Sequence, residues 1–278
     1  MQEKIPIVFC LPVQADWRTL SGMKKEINAD FLKCVALVTM TLDHMAQAEL
    51  LPEFVHWTIG RLAFPLFACL LTYHLQAKQL FTKYAIRLSF WGTLTLFVLP
   101  EDLRYNIFFA FLWPLLAIWG FQKLQKLYLP ELAQNALMEV LFCLAAWASC
   151  YTSYELWGFI YVCLWYYWWQ TRNKYCGAGL VLFGGAINYA VTPVLSPTIS
   201  AVTTAGLANT HPGGRRWFKF SYVFYPYFPM HLWLLECWQK QHFFFPTFPW
   251  FVWVWGGAYF LWWLHKKVLR KTVLTKTT

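Results

Sequence analysis

An aspartate and a histidine stand side by side inside the apolar run at 31–46, and they are the first residues here equipped for chemistry. A histidine can take or give a proton near neutral pH, and a carboxylate beside it, Asp43 next to His44, can orient or charge-balance the group. Adjacent helical residues point about 100° apart, so the two cannot face each other. At least one must find a partner on another helix. Arg61, in Gly60-Arg61-Leu62-Ala63-Phe64-Pro65-Leu66-Phe67, is the expected partner of Asp43. Pro65 has no N–H and frees the carbonyl of residue 61, which predicts a kink beside the guanidinium. A third element is Tyr225-Pro226-Tyr227-Phe228-Pro229-Met230-His231. Its two prolines predict a broken helix, with Pro229 opening a fresh segment. His231 would then lie in a first turn, where the positive dipole end keeps imidazole neutral. Either His44 or His231 could serve as a general base. The plain alternative is an Asp43–Arg61 pair that only locks helices together.

The elements that position these groups must be membrane helices. Of the 278 residues 59% are hydrophobic and 13% charged, against about 25% charged in a soluble protein. The aromatic share is 21%, with 18 Trp, as expected of a chain with many membrane–water interfaces. The formal charge of +10 does not point to nucleic acid, because Lys and Arg cluster between apolar runs and in the tail. Eight cysteines form no CxxC pair, so buried thiols are expected rather than disulfides or a metal site.

A membrane crossing needs about 20 residues. The all-α reading places about ten (nine to eleven) spans near 31–50, 57–75, 84–99, 103–121, 135–151, 153–169, 178–193, 195–209, 221–239 and 248–265. The seventh and eighth could form one re-entrant hairpin. A cytoplasmic segment at 1–30 precedes the membrane domain at 31–265, and a basic tail follows at 266–278. With both ends inside, cytoplasmic loops hold Lys78, Lys83 and Arg87, then Lys123 and Lys126, Arg172 and Lys174, and Arg215, Arg216 and Lys219. The outside loops hold Glu49, Glu53, Glu101, Asp102, Arg104, Glu155 and Lys240, so the asymmetry agrees with the positive-inside rule at nearly every loop. Among the remaining polar residues, Glu139 and Glu236 are expected only to line up with neighbours. His74 and His265 read as interfacial, and His56, His211 and His242 as loop residues.

The segments around Asp43-His44 and Gly60-Arg61, followed by 106–111, by Thr152-Ser153-Tyr154 with Gly158, and by 225–232, resemble the TraX family of F-type conjugative pilin acetylases. The likeness runs in order from residue 35 to about 235. It implies a multi-pass enzyme of the bacterial inner membrane that moves an acetyl group from acetyl-CoA to the N-terminal amine of a pilin subunit or its precursor. It implies no metal. More loosely it suggests kinship with transmembrane acyltransferases that modify glycans or other extracytoplasmic acceptors. His44, Asp43, Arg61 and His231 would be catalytic. Arg61, Lys83, Arg87, Arg215, Arg216 and Lys219 would meet the phosphates of CoA, and Asn106, Phe64, Tyr154 and Tyr225 the substrate.

Forming an amide from a thioester requires removing a proton from the amine and stabilising an oxyanion. His44 is the first choice of base. A covalent acetyl-His intermediate and a ternary complex are equally compatible with these residues. The rival from another class is a small-solute transporter, which also uses broken helices and buried charge. Against it, the chain has neither two similar halves nor interrupted spans at matching positions. A structural scaffold would leave Asp43, His44, Arg61 and His231 without a purpose.

Overall fold

Helix boundaries follow the local chemistry of capping. In a computed structural model that describes residues 29–78, 80–98, 106–189 and 221–239, every regular element among those residues is helical. In chain order they are α1 (Ala29–Gln47), α2 (Glu53–Trp57), a 3-10 turn (Gly60–Leu62), α3 (Ala63–Lys78), α4 (Phe81–Val98), α5 (Ile107–Leu124), α6 (Glu131–Ser149), α7 (Glu155–Thr171), α8 (Lys174–Tyr189) and α9 (Ser221–Gln239). α2 and α6 each follow a proline and open on a glutamate, which suits the positive dipole end. α5 is capped by Asn106, whose side-chain oxygen accepts from the Phe108 N–H at 3.1 Å. α7 ends where Arg172 adopts a left-handed conformation with φ 53°. The Arg172 guanidinium lies 4.3 Å from the ring centroids of both Trp168 and Trp169.

α1 packs on α2, the 3-10 turn and α3, α3 packs on α7, and α7 touches α5 and α8. α4 lies on α5, and α9 closes against α1 and α4. The shared core includes Leu32, Ala36, Phe64, Leu66, Phe108, Leu115, Tyr161, Trp165 and Phe228. Gly92 lets α4 and α5 approach, since a Cβ there would lie 3.2 Å from the Phe108 Cβ.

Among the described residues, three helical stretches are long and apolar enough to cross a membrane: Glu53–Gln76, Ile107–Leu124 and Glu131–Ser149. The first joins α2, the 3-10 turn and α3 into one run. The helical pattern changes before Pro65, at that turn, and Pro65 falls in the first turn of α3, where its missing N–H has no partner within α3 to lose. The spans expected at 195–209 and 248–265, the segment before residue 29 and the tail at 266–278 lie outside the described residues.

One expectation is corrected. The helix is not broken near Pro226 and Pro229, because α9 runs unbroken through both prolines. Packing against α1 and α4 holds the helical path despite the two lost N–H groups. His231 therefore sits mid-helix and takes its environment from neighbouring side chains, not from a helix start.

Candidate active site

α1 delivers its two adjacent polar residues to different neighbours. Asp43 turns toward α2 and the 3-10 turn, and His44 turns toward α9. The divergence expected of consecutive helical positions is what allows one helix to serve both.

On the first side Asp43 is buried, with 8% exposure, as is Arg61 at 8%. The two do not pair directly as expected. His56 stands between them: its Nδ1–H donates to Asp43 Oδ1 at 2.7 Å, and its Nε2 accepts from the Arg61 guanidinium. This assigns a neutral imidazole that joins a carboxylate to a cation. Gln47, one turn beyond Asp43, donates from its amide to Asp43 Oδ2 at 2.9 Å. Gly60 makes the arrangement possible, since a Cβ there would come within 2.7 Å of the Asp43 Cβ and Cγ. Arg61 Nε is buried and makes no hydrogen bond among the described residues.

On the second side the rings of His44 and His231 lie nearly parallel, with centroids 4.9 Å apart. His231 Nδ1 is 2.9 Å from the Tyr227 carbonyl oxygen, which can only accept, so that nitrogen carries a proton. In the neutral ring Nε2 is then an acceptor, and His44 Nδ1–H donates to it at 2.6 Å. The result fixes the tautomer of His44. Its Nε2 holds a lone pair and makes no hydrogen bond among the described residues. A nitrogen so placed can take a proton or attack an acyl carbon. One turn back, the Tyr227 hydroxyl donates to Thr41 Oγ1 at 2.6 Å, and the Thr41 hydroxyl donates to the Leu37 carbonyl at 2.8 Å. Two polar rungs thus join α1 to α9. Asp43 and His44 are consecutive on α1, so the two sides form one cluster.

Aromatic rings enclose it. Phe228 meets His44 and His231 edge-on at 6.0 and 5.6 Å. Phe64 stacks on Tyr154 at 3.8 Å and on Phe111 at 5.0 Å. Gly158 gives this stack room, because a Cβ there would lie 3.2 Å from the Phe64 ring. Tyr225 lies beside Phe108 at 6.2 Å, and the Arg87 guanidinium sits 5.7 Å from the Tyr225 ring centroid. Lys83 is exposed near the start of α4. Arg215, Arg216 and Lys219 lie outside the described residues.

Asn106, expected to meet substrate, has both ends of its amide engaged within the protein. Its oxygen caps α5, and its nitrogen donates to the Gly92 carbonyl at 2.7 Å. The residue that sequence reasoning undervalued is His56, taken for a loop histidine but carried by α2. Its signal was the need of Asp43 for a partner, with His56 only 13 positions away.

A family model described as TraX protein matches residues 28–238. No curated protein and no solved structure matches the chain.

Proposed function

Since the chain belongs to the TraX family, we propose that it is a multi-pass acetyltransferase of the bacterial inner membrane, moving an acetyl group from acetyl-CoA to the N-terminal amine of a conjugative pilin subunit. The observation that carries the reading is the free Nε2 lone pair of His44, oriented by His231 and set beside the Asp43–His56–Arg61 chain. The amine nitrogen attacks the thioester carbonyl while His44 Nε2 removes its proton. The tetrahedral intermediate carries an oxyanion, and the buried Nε–H of Arg61 is a donor suited to it. Collapse breaks the C–S bond, and the proton held on His44 passes to the departing CoA thiolate. Atoms and charge balance, with acetyl-amide and free thiol as products.

Asp43, through His56, holds Arg61 in place and offsets its charge in a low-dielectric site. Lys83 and Arg87, near the start of α4, are assigned to the CoA phosphates together with Arg215, Arg216 and Lys219. Phe64, Tyr154 and Tyr225 supply apolar walls for the acceptor segment.

Intact-mass spectrometry of the pilin from cells with the wild-type chain, with His44→Ala or with no enzyme tests the reading. The expected result is one acetyl group on the N-terminal residue, seen only with the wild-type chain. Acetylation that survives His44→Ala would remove His44 from the chemistry. An unmodified pilin in every strain would overturn the acceptor and direct the search to extracytoplasmic glycans. Incubating the purified enzyme with acetyl-CoA alone separates the two routes to the product. Gain of one acetyl group by the enzyme itself, absent from His44→Ala, would mark a covalent intermediate on His44, and an unchanged mass would mark direct transfer.

A further inference from the structure

Resting on the acetyl-CoA reading above, we propose that the seam between α3 and α7 is the path of the donor's pantetheine arm, with Arg172 at its far end holding the diphosphate. The two helices pack side by side and run in the same direction. At the end nearest Arg61, the Phe64 ring lies 3.8 Å from that of Tyr154 and 6.2 Å from that of Tyr161. At the other end Tyr73 meets Trp169 edge-on at 5.2 Å.

Along this seam α7 carries a row of donors with nothing to donate to. Tyr161, Trp165 and Trp169 stand four residues apart and are only 0%, 1% and 9% exposed. The Tyr161 hydroxyl and both indole nitrogens make no hydrogen bond among the described residues. Buried donors left without acceptors are costly, and most such groups in proteins are paired. Three on one face of one helix call for a ligand that brings acceptors in series. Just beyond Phe64, at the catalytic end, the buried Nε of Arg61 is a fourth. At the opposite end the Arg172 guanidinium is held 4.3 Å from the Trp168 and Trp169 ring centroids and makes no ion pair among the described residues. A planar fork fixed by stacking presents its N–H edge to an anion.

The arm of CoA fits this row in order and in length. Reading away from the diphosphate, it carries a hydroxyl, two amide carbonyls and the thioester carbonyl, all of them acceptors. Donors four residues apart on a helix lie about 6 Å apart along its axis, and the amide carbonyls of the extended arm lie about 5 Å apart. Arg172 folds back over Trp168, and Gly158 lies against Phe64; the distance between those two levels of α7 is about 15 Å. The extended arm spans about 16 Å from phosphorus to thioester carbon. Seating it requires α3 and α7 to part, and the arm's carbonyls offset that cost by meeting donors that the closed seam leaves unpaired.

The test is equilibrium binding to the full chain in phosphatidylcholine nanodiscs, with CoA, phosphopantetheine and adenosine bisphosphate as probes. Tyr161→Phe and Trp169→Phe each delete a donor and keep an aromatic ring. Each should weaken CoA and phosphopantetheine about two- to tenfold and leave adenosine bisphosphate unchanged. Arg172→Gln should weaken CoA about ten- to hundredfold, the effect of losing hydrogen bonds from a charged group. Elution as a single species checks folding, and if Trp169→Phe fails that check Tyr161→Phe decides the matter. Failure of the wild-type chain to bind CoA would remove the acetyl-CoA reading and this path together. CoA bound by the wild-type chain and equally well by the Phe variants would overturn the path alone, as would an equal loss of every probe. An Arg172→Gln chain that keeps its CoA affinity but no longer retains phosphatidylglycerol on purification would give Arg172 to a lipid headgroup and overturn its role here.

Discussion

Replacing each of the paired histidines in turn should separate the base from its support. Both nitrogens of His231 are committed, Nδ1 to the Tyr227 carbonyl at 2.9 Å and Nε2 to His44 at 2.6 Å. Only His44 keeps a free nitrogen. His44→Ala removes the group that takes the proton, and positioned general bases contribute roughly 10²–10⁴-fold. His231→Ala removes one neutral hydrogen bond, with a net worth of about 0.5–1.5 kcal/mol, and releases the tautomer of His44. The loss from the bond alone is therefore roughly two- to tenfold. In the double variant the damage should equal that of His44→Ala alone, because a support has no effect once its base is gone. The assay is single-turnover acetylation of a peptide carrying the pilin N-terminus, followed by mass spectrometry with enzyme in nanodiscs. Elution as a single sharp species serves as the check on folding. A well-folded His231→Ala enzyme as slow as His44→Ala, or losses that multiply in the double variant, would refute the assignment.

The other predictions concern the partners of Asp43 and the fit of the helices. His56→Ala should slow transfer roughly 10–100-fold, the equivalent of a hydrogen bond to a charged group at about 1.5–3 kcal/mol, and a cycle with Asp43→Asn in the same assay should show strong coupling. Arg61→Lys should fail to restore activity, since an ammonium lacks the planar fork that reaches His56 and still leaves a donor free; independent rescue by lysine would argue for simple charge. Gly60→Ala should destabilise the protein by about 1–3 kcal/mol, read as a lowered melting temperature in detergent, because the new methyl overlaps the Asp43 side chain. Tyr227→Phe should cost only about 0.6 kcal/mol of stability, the average for a polar contact between membrane helices, and leave the turnover rate near that of the wild type.

Ionisable side chains inside apolar runs are conspicuous, and for that reason Asp43, His44, Arg61 and His231 were legible in the amino-acid sequence alone. Their connections were less so. Hydrophobic periodicity cannot place a five-residue helix such as α2, and α2 is what carries His56 over the Asp43 carboxylate. The expected Asp43–Arg61 pair had the right end members and lacked the middle one. Near Pro226 and Pro229 the expectation erred in a different way. The loss caused by a proline is local and can be counted from sequence, whereas the packing of α9 on α1 and α4 that offsets it is tertiary. Asn106, which the resemblance sets against the substrate, is also the cap of the helix beginning at Ile107.

The partners of His44 also set when the site can come into being. Asp43, His56 and Arg61 lie close together in the chain and can associate as soon as α1 and the next helical run are inserted. His231 is 187 positions beyond His44. At translation speeds of about 5–20 residues per second, roughly 10–40 s separate the synthesis of these two residues. During that interval the nascent chain has a carboxylate, an imidazole relay and a guanidinium in place, but His44 lacks the neighbour that fixes its proton. The proton of His44 is thereby left unfixed in a partly made chain, and is fixed only when α9 is inserted beside α1.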